Sequence, residues 1–164
     1  MQIILEHPEI ERKIFRLAYQ ILEQTIHQQH LFIGGIQGNG LILAKRLKEI
    51  MDKHGGPEVV VFEICINKEE PWSDPIKLSI QDDDLKNGYI ILVDDVINSG
   101  KTMQYALIKF LQQATHAIKV LTLVDRQHRR FPIKADFVGL SLSTTLKNRV
   151  EIDLSGSRFF AFMS

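Results

Sequence analysis

Ile90-Ile-Leu-Val-Asp-Asp-Val-Ile-Asn-Ser-Gly-Lys-Thr102 decides how this chain is read. An apolar run ends in two adjacent carboxylates, Asp94 and Asp95, and the turn Asn98-Ser99-Gly100-Lys101-Thr102 then opens an amphipathic segment. In an open α/β sheet, ligands lie outside the carboxyl ends of the strands, which is where this turn falls. Free backbone N–H groups at a helix start, with the Ser99 and Thr102 hydroxyls, can surround a phosphate, and the helix dipole favours its charge. Gly100 lets the backbone approach closely. Two carboxylates just upstream cannot also bind phosphate directly; they suit sugar hydroxyls or a magnesium ion held through water. Phosphate on one side and diol acceptors on the other describe a ribose 5-phosphate site. The plainer alternative is a carboxylate pair that ends a strand and caps the next element. The Ser-Gly-Lys-Thr helix start beside the pair weighs against it.

Working outward, Tyr89 to Val93 is a continuous apolar run of the kind buried on both faces of a parallel sheet. Ile10, Ile14, Leu17, Ala18, Ile21 and Leu22 recur at helical spacing and predict a first helix over about residues 8–28. Leu31-Phe32-Ile33 reads as a short strand stopped by Gly34-Gly35. Leu43, Ala44, Leu47, Ile50 and Met51 predict a second helix, closed by Gly55-Gly56-Pro57. A β-branched strand follows at 59–66. Met103, Ala106, Leu107, Phe110, Leu111 and Ala114 form the apolar stripe of a third helix, and further strands fall at 118–124 and 137–142. Residues 150–154 and 159–163, joined across Ser155-Gly156-Ser157, predict a terminal hairpin. Alternating strands and helices predict an α/β fold with a mainly parallel sheet and right-handed crossovers. Residues 67–88 resist this pattern. They carry Pro71, Trp72, Pro75 and the acidic run Asp82-Asp83-Asp84, and so long a connection without periodicity reads as a functional loop.

The chain has 164 residues, enough for one domain and too few for two separate cores. With 45% hydrophobic and 24% charged residues, disorder and fibrous architectures are excluded. Net charge is zero, which argues against engaging nucleic acid through overall charge. Cys65 is the sole cysteine, so an intrachain disulfide, a CxxC pair and a multi-cysteine zinc site are all ruled out. The N-terminus lacks the basic start and apolar core of a secretory signal. The longest apolar runs fall far below the roughly 20 residues that cross a bilayer. A cytoplasmic protein with no membrane partner is expected.

Two other phosphate motifs fail on spacing. Gly100-Lys101-Thr102 resembles the end of a P-loop, but that motif needs glycine where Asp95 stands. Gly34-Gly35-Ile36-Gln37-Gly38-Asn39-Gly40 does not satisfy the G-x-G-x-x-G dinucleotide pattern. This second loop is either an anion cradle of backbone N–H groups or a plain strand-to-helix turn.

Val93-Asp-Asp-Val-Ile-Asn-Ser-Gly-Lys-Thr102 resembles the phosphoribosyl pyrophosphate signature of type I phosphoribosyltransferases. Leu31-Phe-Ile-Gly-Gly-Ile-Gln-Gly-Asn-Gly-Leu-Ile-Leu-Ala-Lys-Arg-Leu47 and Leu123-Val-Asp-Arg-Gln-His-Arg-Arg-Phe-Pro-Ile-Lys-Ala-Asp-Phe-Val-Gly139 are similar to one branch, the bifunctional pyrimidine-operon attenuators with uracil phosphoribosyltransferase activity. The resemblance runs from the N-terminal helix to about Leu154. It implies one domain over 1–164: a mainly parallel sheet flanked by helices, a small hood from about 1–12 and 145–164, a C-terminal β-hairpin, and a mobile catalytic loop at about 67–84. It implies phosphoribosyl pyrophosphate as co-substrate, magnesium (Mg2+) as cofactor, a nucleobase acceptor (uracil foremost), and a homodimer.

Residue by residue, the resemblance assigns the ribose hydroxyls and magnesium to Asp94 and Asp95, with Lys68 as a further catalytic group. It assigns the 5-phosphate to Val96, Asn98, Ser99, Gly100, Lys101 and Thr102. Ile36, Gln37, Gly38 and Asn39 form the pyrophosphate loop, where the family has a non-proline cis peptide, and Arg126 joins them. Asp125, Phe137 and Val138 border the base. Pyrophosphate would be displaced from C1 of the ribose by a base nitrogen, assisted by magnesium, backbone N–H groups and a closing lid.

The chain also departs from the branch. Gln37-Gly38-Asn39 stands where the branch carries Lys-Thr-Arg, and the catalytic loop is shortened and lacks an Arg-Asp pair, leaving Lys68 as its cation. Asn98 replaces a Tyr of that branch and the base-assisting Asp of purine enzymes; an asparagine does not accept a proton, which disfavours that purine mechanism. Arg126, His128, Arg129, Arg130 and Lys134 form a local basic cluster, and Arg129 and Lys134 match cationic RNA contacts of the regulator branch. Leu146 replaces a further lysine of that branch, and no interleaved aromatics supply stacking platforms, so RNA is the disfavoured partner. A third reading is a sensor that keeps the phosphoribosyl site without turnover. The six histidines are scattered; His27 and His30, one turn apart, lack the Cys or carboxylate of a zinc site. Trp72 lies within the expected lid, and Cys65 reads as an inert thiol on a strand.

Overall fold

The computed structural model describes residues 1–143 and 148–164. The boundary of the expected hood at residue 145, and Leu146, lie outside the described residues. The elements run β1 (Gln2–Leu5), α1 (His7–Thr25), β2 (His30–Ile36), α2 (Asn39–Asp52), β3 (Glu58–Cys65), β4 (Lys77–Leu78), a 3-10 turn (Asp82–Leu85), β5 (Tyr89–Ile97), α3 (Lys101–Phe110), β6 (Ala117–Asp125), β7 (Phe137–Ser141), β8 (Val150–Asp153) and β9 (Phe160–Met163).

Six strands form one sheet in the order β4-β3-β2-β5-β6-β7, parallel throughout except for β4. β5 sits inside it and feeds both cores. Ile91 and Val93 face α1 and α2, while Ile90 and Leu92 face α3. This two-sided burial is why the run carries no polar alternation. A second, antiparallel sheet has the order β1-β9-β8 and contains the expected hairpin. β1 gave no periodic signal because it is short and its first two residues are exposed. The same holds for β4, two residues paired with Ile64 and Cys65 inside the segment expected to be a bare loop.

Several boundaries differ from periodicity, for tertiary reasons. α1 enters through Pro8, with the Glu6 N–H donating to the Glu9 carboxylate at 2.9 Å. It stops at Thr25, whose hydroxyl donates to the Ile21 carbonyl at 2.8 Å, three residues before the expected end. β2 does not stop at Gly34-Gly35 but continues to Ile36, because β3 and β5 pair with it on both sides. A Cβ at Gly35 would lie 2.5 Å from Leu41 Cα, so glycine there serves close strand–helix packing rather than a turn. α3 ends at Phe110, and Leu111, expected on its buried stripe, is 60% exposed. Most relevant to the site, β5 runs past Asp94-Asp95 to Ile97, drawn on by β6 through the pairs Asp94–Thr122, Val96–Val124 and Ile97–Asp125. No helix among the described residues is long and apolar enough to cross a membrane.

Candidate active site

The carboxyl end of β5, the turn into α3, Arg126 after β6, Lys68 and Glu69 after β3, and residues 149–152 around β8 enclose a cleft of about 460 Å³. Its floor is the carboxylate pair. Asp94 is 4% exposed and accepts the Asp95 N–H at 2.9 Å and the Lys68 ammonium at 3.4 Å. Burial, and then the charge of Asp95, push its pKa up to about 7, with Lys68 opposing. Asp95 accepts the Val96 N–H on Oδ1 at 2.7 Å and the Asn39 amide on Oδ2 at 2.9 Å. Lys68, 48% exposed, thus stands beside Asp94.

The expected phosphate turn lies along the same wall: Val96, Asn98, Ser99, Gly100, Lys101 and Thr102 all line the cleft. Gly100 caps α3 with φ 85°, and the Ser99 hydroxyl accepts the Lys101 N–H at 3.2 Å. The Ser99 carbonyl accepts the N–H groups of Arg130 and Phe131 at 2.9 and 3.0 Å, which pins the turn from behind. Lys101 departs from its assignment. Its ammonium donates to the Glu69 carbonyl at 3.0 Å and lies over the Trp72 ring, which in turn packs on Tyr105. Lys101 therefore ties the 69–72 segment to α3.

Arg126 is buried on the cleft wall. Its N–H donates to the Ile97 carbonyl, Nη1 to Asn98 Oδ1 at 3.1 Å and Nη2 to the Asn148 carbonyl at 2.6 Å. Asp125 is turned away from the cleft and accepts Arg129 Nη2 at 3.0 Å and the Gln127 N–H at 2.9 Å. Phe137 and Val138 do not line the cleft either. They pair with Leu121 and Thr122, well short of the carboxyl end of β6; Phe137 is buried in the α1-side core and the Val138 carbonyl accepts Arg16.

The loop assigned to pyrophosphate is built differently from the expectation. There is no cis peptide bond among the described residues, and Gly38 carries the turn with φ 93°. Ile36 is buried in the core, the Gln37 N–H is taken by the Ile64 carbonyl at 2.9 Å, and the Asn39 side chain reaches the carboxylate floor. The basic cluster is not a uniform exposed patch. Arg129 donates to Asp125, to the Asn98 carbonyl and to the Ile133 carbonyl, all at 3.0 Å, so it braces the phosphate turn.

Arg149, Val150, Glu151 and Ile152, which form the opposite wall, and Glu69 had no motif to mark them. Their role comes from the second sheet folding over the first, a contact that no local spacing encodes. Among the described residues no cluster of three or more His, Cys, Asp or Glu side chains is placed to hold a metal. Two carboxylates at the cleft floor still fit a magnesium ion that takes its remaining ligands from water and substrate oxygens.

A family model for the phosphoribosyl transferase domain matches residues 1–153. The bifunctional protein PyrR of Macrococcus caseolyticus (strain JCSC5402) is 30% identical over 159 residues, covering 93% of this chain and 91% of that protein. Bifunctional protein PyrR of Bacillus cereus (strain AH820) is 30% identical over 164 residues, covering 93% and 89%. Among solved structures, the hypoxanthine phosphoribosyltransferase of Trypanosoma cruzi matches with TM-score 0.73 at 17% identity, over 87% of this chain and 82% of that one. A hypoxanthine-guanine phosphoribosyltransferase of Bacillus anthracis gives 0.70 at 21%, with the same coverage. At such identities these two structures speak to the fold alone. The signature on β5 and α3, the family match over residues 1–153 and the PyrR relatives together establish that the chain belongs to the type I phosphoribosyltransferases, on the PyrR branch of pyrimidine metabolism.

Proposed function

We propose that this chain transfers ribose 5-phosphate from phosphoribosyl pyrophosphate to uracil, as a cytoplasmic homodimer. The observation that carries this reading is the continuity of one cleft wall. The paired carboxylates of β5, the Gly100 turn and the Asn98–Arg126 pair follow one another along it. Asp94 and Asp95 hold the ribose 2- and 3-hydroxyls, and the N–H groups of the turn, with the Ser99 and Thr102 hydroxyls, hold the 5-phosphate. Asp94 and Asp95 would also hold a magnesium ion through water, which would supply positive charge against that of the leaving pyrophosphate. The C1–oxygen bond to pyrophosphate breaks with its electron pair leaving on oxygen, the C1–nitrogen bond to the base forms, and the base N–H proton passes to water. Of residues 67–84, Lys68 and Glu69 reach the cleft, with Lys68 set against Asp94.

The base assignment rests on Asn98. A guanidinium only donates, so the atom facing Arg126 is the carboxamide oxygen, and what Asn98 offers an occupant is its N–H. A neutral donor suits a carbonyl-bearing pyrimidine, and it does not take the proton that an acid side chain takes in purine transfer. Arg129, one of the two cations matched to RNA contacts, is spent on Asp125 and two backbone carbonyls, which favours the enzyme over an RNA-binding regulator.

Pyrophosphate release, measured with magnesium and phosphoribosyl pyrophosphate against uracil, hypoxanthine, guanine and adenine, tests the assignment. Release with uracil alone is expected. Release with a purine overturns the base, and tight phosphoribosyl pyrophosphate binding without release on any base replaces the enzyme with a sensor.

A further inference from the structure

Asn39, the first residue of α2, links the pyrophosphate loop to the cleft floor by its side chain, and the link runs to a carboxylate. Its amide nitrogen donates to Asp95 Oδ2 at 2.9 Å and to the Ile152 carbonyl at 2.7 Å. An NH2 group has two hydrogens, so both are used. Asp95 is thereby gripped at both oxygens, Oδ1 by the Val96 N–H and Oδ2 by Asn39. The Ile152 carbonyl belongs to β8, so the same amide joins α2, the floor of the cleft on β5 and the sheet that forms its opposite wall.

The chemistry of the grip is selective. An amide orients a carboxylate without cancelling its charge, whereas a cation would neutralise it and an acid would repel it. The grip therefore holds Asp95 in a fixed rotamer, which suits a group that must accept hydrogen bonds from a sugar diol and help carry a divalent cation. Pre-setting that rotamer removes an ordering cost from substrate binding.

We propose that Asn39 is a positioning residue that acts through Asp95 and does not bind pyrophosphate itself. This rests on reading the cleft as a phosphoribosyl pyrophosphate site. The test compares Asn39→Ala, Asp95→Ala and the double variant by calorimetric titration with magnesium phosphoribosyl pyrophosphate, and separately with pyrophosphate in magnesium-free buffer. Asn39→Ala is expected to weaken phosphoribosyl pyrophosphate about tenfold, in line with one hydrogen bond to a charged group. It should leave the affinity for metal-free pyrophosphate within about twofold. In the Asp95→Ala background the same substitution should change phosphoribosyl pyrophosphate affinity by less than about twofold, because the partner through which it acts is gone. Asn39→Ser, which keeps one donor, should fall between wild type and Asn39→Ala, and it carries the test if the alanine variant does not fold. A parallel loss of affinity for metal-free pyrophosphate, or an unchanged penalty without Asp95, overturns the proposal. A wild-type protein that binds no phosphoribosyl pyrophosphate overturns the reading of the cleft instead, and the two failures are distinct.

Discussion

Asp94→Asn will lose transfer activity and gain thermal stability, with the gain confined to neutral and alkaline pH. In the fold Asp94 holds its proton up to about pH 7, against 3.8 for an ordinary aspartate. Burial, then the neighbouring Asp95 charge, cause the rise. Between those values the folded chain binds more protons than the unfolded one, so stability falls as pH rises through that window. The cost of ionised Asp94 is absent below about pH 4 and complete above about pH 7, where it reaches on the order of 4 kcal/mol. Asparagine has no proton to lose and keeps an oxygen for the Asp95 N–H. Lys68 loses its partner, but at 48% exposure that pair contributes little. Melting in magnesium-free buffer should therefore show Asp94→Asn several degrees above wild type at pH 8 and close to it at pH 4.5. Its turnover should fall by about 10²–10³-fold, the usual effect of removing one pre-organised charged group. A variant that melts below wild type at pH 8 contradicts this account of the buried carboxylate.

Gly100→Ala is expected to damage both stability and phosphate binding. Gly100 caps α3 at φ 85°, where an L side chain is strained by about 1–2 kcal/mol. A Cβ there would also lie 2.4 Å from Ile133 Cγ2. That methyl belongs to a β-branched side chain in the core beside Met103 and Ile97, so it has no easy escape. The Gly100 carbonyl also accepts the Gln104 N–H at 2.8 Å, so a displaced Gly100 loosens the first turn of α3 as well. A total of about 2–4 kcal/mol in urea unfolding is expected, with phosphoribosyl pyrophosphate affinity reduced at least about tenfold by displacement of the phosphate N–H groups. Gly55→Ala is the control. It has φ 72° with no atom within 4 Å of the added Cβ, so it should show the conformational cost alone and leave affinity unchanged.

How far the sequence reaches can be seen on single residues. The β5–turn–α3 unit was legible because its signal is local: an apolar run, two carboxylates, then glycine before an amphipathic stripe. The stripe misled at Leu111 and Ala114, which lie beyond the end of α3 and are exposed. Asp94 and Asp95 were expected to end the strand, but pairing with β6 carries β5 on to Ile97, and burial is the first cause of the perturbed Asp94. Phe137 and Val138 came from resemblance, and register decides against them, since they pair in the middle of β6. The wall at 149–152 was invisible because it is made by the second sheet closing over the first. Asn39 was legible as a loop residue, while its bond to Asp95, 56 residues away in sequence, was not.

The most direct test of the central claim is calorimetric titration of magnesium phosphoribosyl pyrophosphate into wild type and the Asp94→Asn/Asp95→Asn double variant. Saturable binding to wild type, lost in the folded double variant, is the expected result. Wild type that does not bind, or a double variant that binds as well as wild type, would contradict the assignment of this cleft.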